Sequence, residues 1–231
     1  MQKVLDNGYV KLINNMGSDI DVVNAARASF EKEVSEMSEG DDKLLRFLIQ
    51  HKHDSTMRHC AMTFEVYAPL MVARQWYKHS VASTHLDDQM GWNESSRRYI
   101  TENEVFYIPE PEQWRSMPEN KKQGSGGPVD EETGKKFEEL MNRTVELGLA
   151  NYREALSANI APEQARLLLP AYSMYVRWRW TTSLNSVLHF LSLRLKNDSQ
   201  FEIREYAKAI LSQIEDIYPK SIEYWMEHRV N

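Results

Sequence analysis

Ala61-Met62-Thr63-Phe64-Glu65-Val66-Tyr67-Ala68, followed by Pro69, is the stretch that decides the fold. In an extended chain Met62, Phe64 and Val66 fall on one face and Thr63, Glu65 and Tyr67 on the other, which is the pattern of a half-buried β-strand. Pro69 ends that strand and suits the first position of a helix, predicted over Leu70 to His79. Upstream, Asp6-Asn7-Gly8 is a turn signal before a short strand in Tyr9 to Ile13. Ser18 is placed to cap a helix through Val22, Val23, Ala26 and Phe30. Gly40-Asp41-Asp42 opens another, apolar at Leu44, Leu45, Phe47 and Leu48 and ending at His51-Lys52-His53.

Downstream, a long helix is predicted over Glu131 to Ala158, then a short one opened by Pro162 and stopped at Pro170. Ser173 to Thr181 reads as a strand, whereas Ser183 to Leu195, Ser199 to Glu215 and Pro219 to Arg229 read as helices. Helices dominate three or four strands. The class is α+β, mostly helical with a small central antiparallel or mixed sheet, in one domain spanning 1–231. Gly124-Ser125-Gly126-Gly127 marks a flexible loop near 118–129.

The 231 residues are 42% hydrophobic and 27% charged, the balance of a globular chain rather than a disordered one. Acidic residues outnumber basic ones 34 to 28, and no basic block exists, which argues against nucleic-acid or anionic-membrane partners. Cys60 is the only cysteine, so neither an intrachain disulfide nor a Cys-based zinc site can form. No apolar run approaches the ~18 residues of a membrane span. The N-terminus carries no signal pattern. The chain reads as cytoplasmic.

Three constellations could carry chemistry. His51-x-His53 with His59 has metal-ligand spacing, but no histidine lies upstream, and polar residues at a helix end account for it better; no metal is expected. Trp92 to Tyr99 places Ser95, Ser96, Arg97 and Arg98 beside Glu94, a set able to clamp a phosphate bidentately; a solvated loop is the alternative. Arg166, Arg177, Arg179, Arg194 and Arg204 lie in a segment rich in Leu, Trp and Tyr. Arg194, set among leucines, must find an anion or reach water. Trp178 and Trp180 read as core or interface rather than as a cofactor platform.

Taken in order, several segments resemble the flavin-dependent thymidylate synthases. They are Ala25 to Phe30, Ala73-Arg74-Gln75-Trp76-Tyr77-Lys78-His79, Asn93-Glu94-x-Ser96-x-Arg98-Tyr99, Ala165-Arg166-x-x-Leu169-Pro170, Leu188-His189-Phe190-Leu191-x-Leu193-Arg194 and Gln200-Phe201-Glu202-Ile203. The family signature is Arg-His-Arg, seven residues, then Ser. Here the triplet is Lys78-His79-Ser80, and residues 81–95 place eight extra positions before Ser96. Lys78 keeps a charge without the planar fork, and Ser80 does not.

The resemblance implies reductive methylation of dUMP to dTMP, with methylenetetrahydrofolate as carbon donor and NADPH-reduced FAD as hydride carrier. Cys60 agrees, because it lacks the Pro-Cys-His context of the thiolate-dependent class. By position, Gln75, Lys78, Glu94, Ser95, Ser96, Arg97, Arg98, Arg166 and Arg194 would meet dUMP. Arg98 and Arg166 would take the phosphate or ribose side, Arg194 the uracil edge, and Ser96 a hydrogen bond to the phosphate. Arg194 and Ser96 are the catalytic candidates. Ser29, His53, Ser55, Lys78, His79, Ser80, Val81, Glu94, Ser183, Asn185 and His189 would hold FAD. Arg58, Ser183 and Asn185 depart from the family's Glu, Asn and Arg, so the flavin site is differently charged. The family is homotetrameric with shared active sites. A UMP-type C5 methylase, and a flavin-binding relative without turnover, are the alternative readings.

Overall fold

A computed structural model describes residues 1–82, 91–95, 104–119 and 124–229. Strands β1 (Gln2–Val4), β2 (Gly8–Met16), β3 (Ala61–Pro69), β4 (Gly91–Glu94) and β5 (Tyr175–Ser183) form one sheet in the order β1-β2-β3-β5-β4. Every pairing is antiparallel. The expected alternation of β3 holds: Met62, Phe64, Val66 and Ala68 are buried, and Thr63, Glu65 and Tyr67 are half-buried.

Five strands stand where three or four were expected. The additions are β1, too short to show a period, and β4, whose Trp92-Asn93-Glu94 reads in sequence as a polar loop. Its partner β5 makes it a strand, with Trp92 opposite Trp180 and Glu94 opposite Trp178. Between Leu12 and Asn14 a bulge shifts the β2–β3 register.

Helices α1 (Asp19–Arg27), α2 (Glu39–Gln50), α3 (Leu70–Trp76), α6 (Leu184–Arg194), α7 (Phe201–Ile214) and α8 (Pro219–Arg229) share one core with the sheet. Trp76 of α3 is the centre of that core. It meets Trp178 and Trp180 edge-on at 5.5 and 5.4 Å between ring centres, and stacks on Phe190 at 4.6 Å. Trp178 and Trp180 are therefore core, not cofactor platform. The other face of the sheet is polar, with Thr63 and Thr181 hydroxyls 2.9 Å apart and Tyr9 donating to Glu65 at 2.9 Å.

Local signals explain most boundaries. Ser18 caps α1 in a capping box with Asp21, and Ser38 does so for α2 with Asp41, one turn signal earlier than Gly40 suggested. Asp19 accepts from the backbone of Lys220 and Ser221 at 2.8 and 3.0 Å, which caps α8 and ties it to α1. Two apolar residues expected in the core are not there: Phe30 lies in an exposed 3₁₀ turn, and exposed Phe47 meets the His51 ring at a tilt, 4.2 Å between centres.

The long α4 (Glu131–Ser157) packs outside this core, against the turn at Pro111 and the segment after α5 (Pro162–Ala165). Its only two buried residues are Gly134 and Gly148. A Cβ on Gly134 would stand 2.2 Å from the Pro111 carbonyl oxygen, so the close approach requires glycine. Of the loop expected near 118–129, residues 120–123 lie outside the described residues. Its far side is pinned to Ser116 by backbone bonds with Gly126 and Gly127, each 2.9 Å.

Candidate active site

Helix α3 ends at Trp76, not His79, and tightens into a 3₁₀ turn over Tyr77–Ala82. This places Gln75 half-buried, Lys78 exposed and His79 buried. Facing them is the end of α6, where Arg194 is half-buried. The Ser199 hydroxyl donates to the carbonyls of Arg194 and Lys196 at 2.7 and 2.8 Å and so closes that helix terminus.

Arg194 Nε donates to His79 Nε2 at 2.8 Å. A guanidinium can only donate, so His79 is neutral and carries its proton on Nδ1. Burial first, then Arg194 and His189, bring the His79 pKa down to about 4. Burial also lowers the Arg194 pKa. Among the described residues no carboxylate pairs with Arg194. It lines a cavity of about 580 Å³ with Gln75, Ser125, Asp198, Ser199 and Gln200.

Glu94 falls in a different cavity, of about 490 Å³, with Arg74, Tyr77, Trp92 and Tyr172. Although Glu94 is exposed in part, desolvation there raises its carboxyl pKa, against the pull of Arg74. Ser95 continues the β4 edge through its N–H to the Arg177 carbonyl at 2.8 Å. Adjacent residues Arg74 and Gln75 thus serve separate cavities. Arg166 sits half-buried in a 3₁₀ turn against α4 and lines neither of them. Ser96, Arg97 and Arg98 lie outside the described residues.

Of the expected flavin ligands, Ser183, Asn185 and His189 belong to α6 and its cap, and His79 faces that helix. Ser29, His53 and Ser55 are exposed, the last two leading into the Thr56–His59 turn that packs on α1, α6 and β5. Ser183 accepts from the Ser186 N–H at 3.3 Å, so it caps α6, and Asn185 is half-buried in the first turn. His189 is exposed between buried Leu188 and Phe190, with its ring centre 6.2 Å from that of His79. By apolar context alone it would be a core residue, and it is not. The side chains of Ser80 and Val81 lie outside the described residues. Exposed hydroxyls and imidazoles, Lys78 and the amino end of α6 are donors of the kind that an FAD diphosphate and its ribose require. Among the described residues no group of three acidic, His or Cys side chains could hold a metal ion, and no helix is long and apolar enough to cross a membrane.

Sequence reasoning missed Arg74, Ser199, Gln200 and Glu202. The last two stand in a quoted segment, Gln200-Phe201-Glu202-Ile203, to which no role had been attached.

Among the described residues, the cleft sets an arginine that no carboxylate pairs in one cavity with a carboxamide, a lining suited to an electron-rich polar ligand, on a fold of the α+β class. The family model described as "Thymidylate synthase complementing protein" matches residues 11–220. A flavin-dependent thymidylate synthase of Wolbachia pipientis is 34% identical over 98% of this chain and 76% of its own. The Thermotoga neapolitana enzyme of that name is 35% identical over 97% and 94%. Among solved structures, the UMP/dUMP methylase PolB from Streptomyces cacaoi, bound with 5-Br UMP, superposes with a TM-score of 0.82 at 25% identity, over 99% of this chain and 98% of its own. The chain belongs to the flavin-dependent thymidylate synthase family.

Proposed function

We propose that the protein reductively methylates dUMP to dTMP, with methylenetetrahydrofolate as carbon donor and NADPH as reductant of a bound FAD. The observation that carries this reading is Arg194, a cation lining the cavity whose neighbour is a neutral imidazole. Its charge is left for an electron-rich ligand, as a uracil ring is when C5 is activated. The bound flavin supplies the hydride chemistry, and the chain supplies position and charge.

Arg194 faces the uracil edge and Gln75 shares that end of the cavity. Lys78, Glu94, Ser95, Ser96, Arg97, Arg98 and Arg166 meet the nucleotide, with Arg98 and Arg166 on the phosphate or ribose side and Ser96 on the phosphate. Ser29, His53, Ser55, Lys78, His79, Ser80, Val81, Glu94, Ser183, Asn185 and His189 hold FAD. One domain spans the chain, and the cytoplasm is the compartment that suits a nucleotide-biosynthetic enzyme with a free thiol.

Gln75 and Arg194 line one cavity of the chain, Glu94 lines another and Arg166 lines neither, a separation that supports active sites shared in a homotetramer. On α4, Phe137, Leu140 and Leu147 form an apolar stripe that is 41%, 52% and 63% exposed, a face suited to burial against another subunit.

The test is tritium release from 5-tritiated dUMP in the presence of FAD, NADPH and methylenetetrahydrofolate. Folate-dependent release is expected. A second reading, methylation of UMP, comes from the solved relative, a UMP/dUMP methylase bound with 5-Br UMP in one structure and with 5-Br dUMP in another. Release from tritiated UMP alone would select it.

A further inference from the structure

The Gln200-Phe201-Glu202 segment reaches the cavity through a chain of hydrogen bonds. Gln75 Nε2 donates to Gln200 Oε1, and Gln200 Nε2 donates to Glu202 Oε2 at 2.7 Å. Gln200 Nε2 also lies 3.7 Å from Met71 Sδ, a weak acceptor on the same side. The polarity of this chain follows from chemistry alone. A carboxylate only accepts, so Gln200 must turn its NH2 group to Glu202. Its carbonyl then faces Gln75, and because a carbonyl only accepts, Gln75 must answer with its own NH2 group. One charge thereby sets the direction of an amide two links away. Among the described residues nothing else bonds the Gln75 amide, which leaves its carbonyl oxygen and one N–H to the cavity that it lines with Arg194.

That direction matters to a pyrimidine. A carboxamide can pair with the N3 and C4 groups of either base, in opposite senses. Uracil needs the carbonyl at N3–H and the N–H at O4. Cytosine needs the N–H at N3 and the carbonyl at its amino group. An amide free to flip serves both, whereas an amide held one way serves one. We propose that Glu202, acting through Gln200, is a positioning residue that holds the Gln75 amide in the sense that takes uracil and opposes cytosine. This assignment rests on the uridylate reading of the cavity, which says which base the held amide is set to receive.

The experiment compares dissociation constants of dUMP and dCMP on the full-length FAD-loaded protein. The two share sugar and phosphate, so their ratio isolates the base. In Glu202→Gln the second residue can offer either end of its amide, and the chain loses its direction. The dCMP/dUMP ratio is expected to fall about tenfold, with flavin content unchanged. Gln200→Met cuts the chain at its middle and should lower the ratio equally, which keeps the test open if the first variant folds poorly. The exchanged pair Gln200→Glu with Glu202→Gln puts an acceptor-only group against Gln75 again, and the ratio should return. A merely structural role predicts no such rescue. An unchanged ratio in both single variants would overturn the positioning role while leaving the uridylate reading intact. Failure of the wild-type protein to bind dUMP would overturn both.

Discussion

Arg194 Nε lies 2.8 Å from His79 Nε2, so a half-buried cation is oriented by a neutral base, and among the described residues no acid pairs with it. A carboxylate in that position would fix the guanidinium as well but would cancel its charge. The imidazole lone pair holds the orientation and leaves the charge available. The family resemblance places both residues in one candidate site, and the distance between them says how they would divide the work there.

Removing that charge should stop turnover and spare the cofactor. For Arg194→Ala we expect a loss of at least about 10²-fold in tritium release, with the flavin absorbance per chain unchanged. Arg194→Lys should recover little, because an ammonium has neither the planar fork nor an Nε for His79. Turnover near the wild-type rate in the alanine variant would remove Arg194 from the chemistry.

His79 also sets an acid limit on stability. Its pKa falls from an ordinary 6.5 unfolded to about 4 folded. Between those values the unfolded chain binds more protons, so stability rises with pH across that window. The contribution is complete above about 6.5 and is lost as pH falls through about 4, for a total of about 3 kcal/mol. Thermal midpoints measured from pH 7 to pH 4 should fall in the wild type. They should fall less in His79→Gln, which keeps an acceptor for Arg194 and has nothing to protonate. Parallel curves would place the acid-labile group elsewhere.

The strand β3 is legible because its alternation runs for eight residues, and Pro69 because its ring leaves few options. Strand β4 is not, because four residues hold barely one cycle of alternation and Trp92 owes its place to Trp178, stacked at 4.9 Å. Phe30 and Phe47 show the reverse error: helical spacing marks a residue as apolar in pattern but does not say that anything covers it. The site divides in the same way. Gln75, His79 and Arg194 are marked by family position. Their pairing joins residues 115 apart for His79 with Arg194, and 125 apart for Gln75 with Gln200, and only the fold brings those together.

Cys60 separates this chemistry from the thiolate-dependent route. Burial first, then Asp21 and Asp19, push its thiol up to about 12, and its Sγ lies 3.6 Å from the Ser18 carbonyl. At pH 8 its thiolate fraction is roughly three orders of magnitude below that of a free cysteine. Cys60→Ser should retain turnover, and the native thiol should react with a disulfide reagent only on unfolding. Abolished turnover in a folded serine variant would give the thiol a part in the reaction.

Two glycines to alanine should move stability in opposite directions. In a helix that change gains up to ~1 kcal/mol from propensity alone. At Gly40 the new Cβ meets nothing closer than the Ser38 hydroxyl at 3.6 Å, so the gain should be kept. At Gly134 it meets the Pro111 carbonyl oxygen at 2.2 Å and carbon at 2.8 Å. Those are backbone atoms that cannot turn aside. Overpacking of this kind costs typically ~1–3 kcal/mol, enough to reverse the sign. Denaturant midpoints should rise for Gly40→Ala and fall for Gly134→Ala.

The stripe on α4 gives the proposed homotetramer its own test. Leu147 is 63% exposed in the single chain, so a charge there should cost the isolated fold little. Buried against a second subunit, the same charge would lack a partner and oppose association. For Leu147→Glu we therefore expect a wild-type circular dichroism spectrum but a smaller particle by analytical ultracentrifugation. Turnover should fall with the dissociation, because Gln75 and Glu94 of one chain serve separate cavities. Restored activity at high protein concentration would mark mass action as the cause. A particle of unchanged mass in that variant would place the subunit contact on another face.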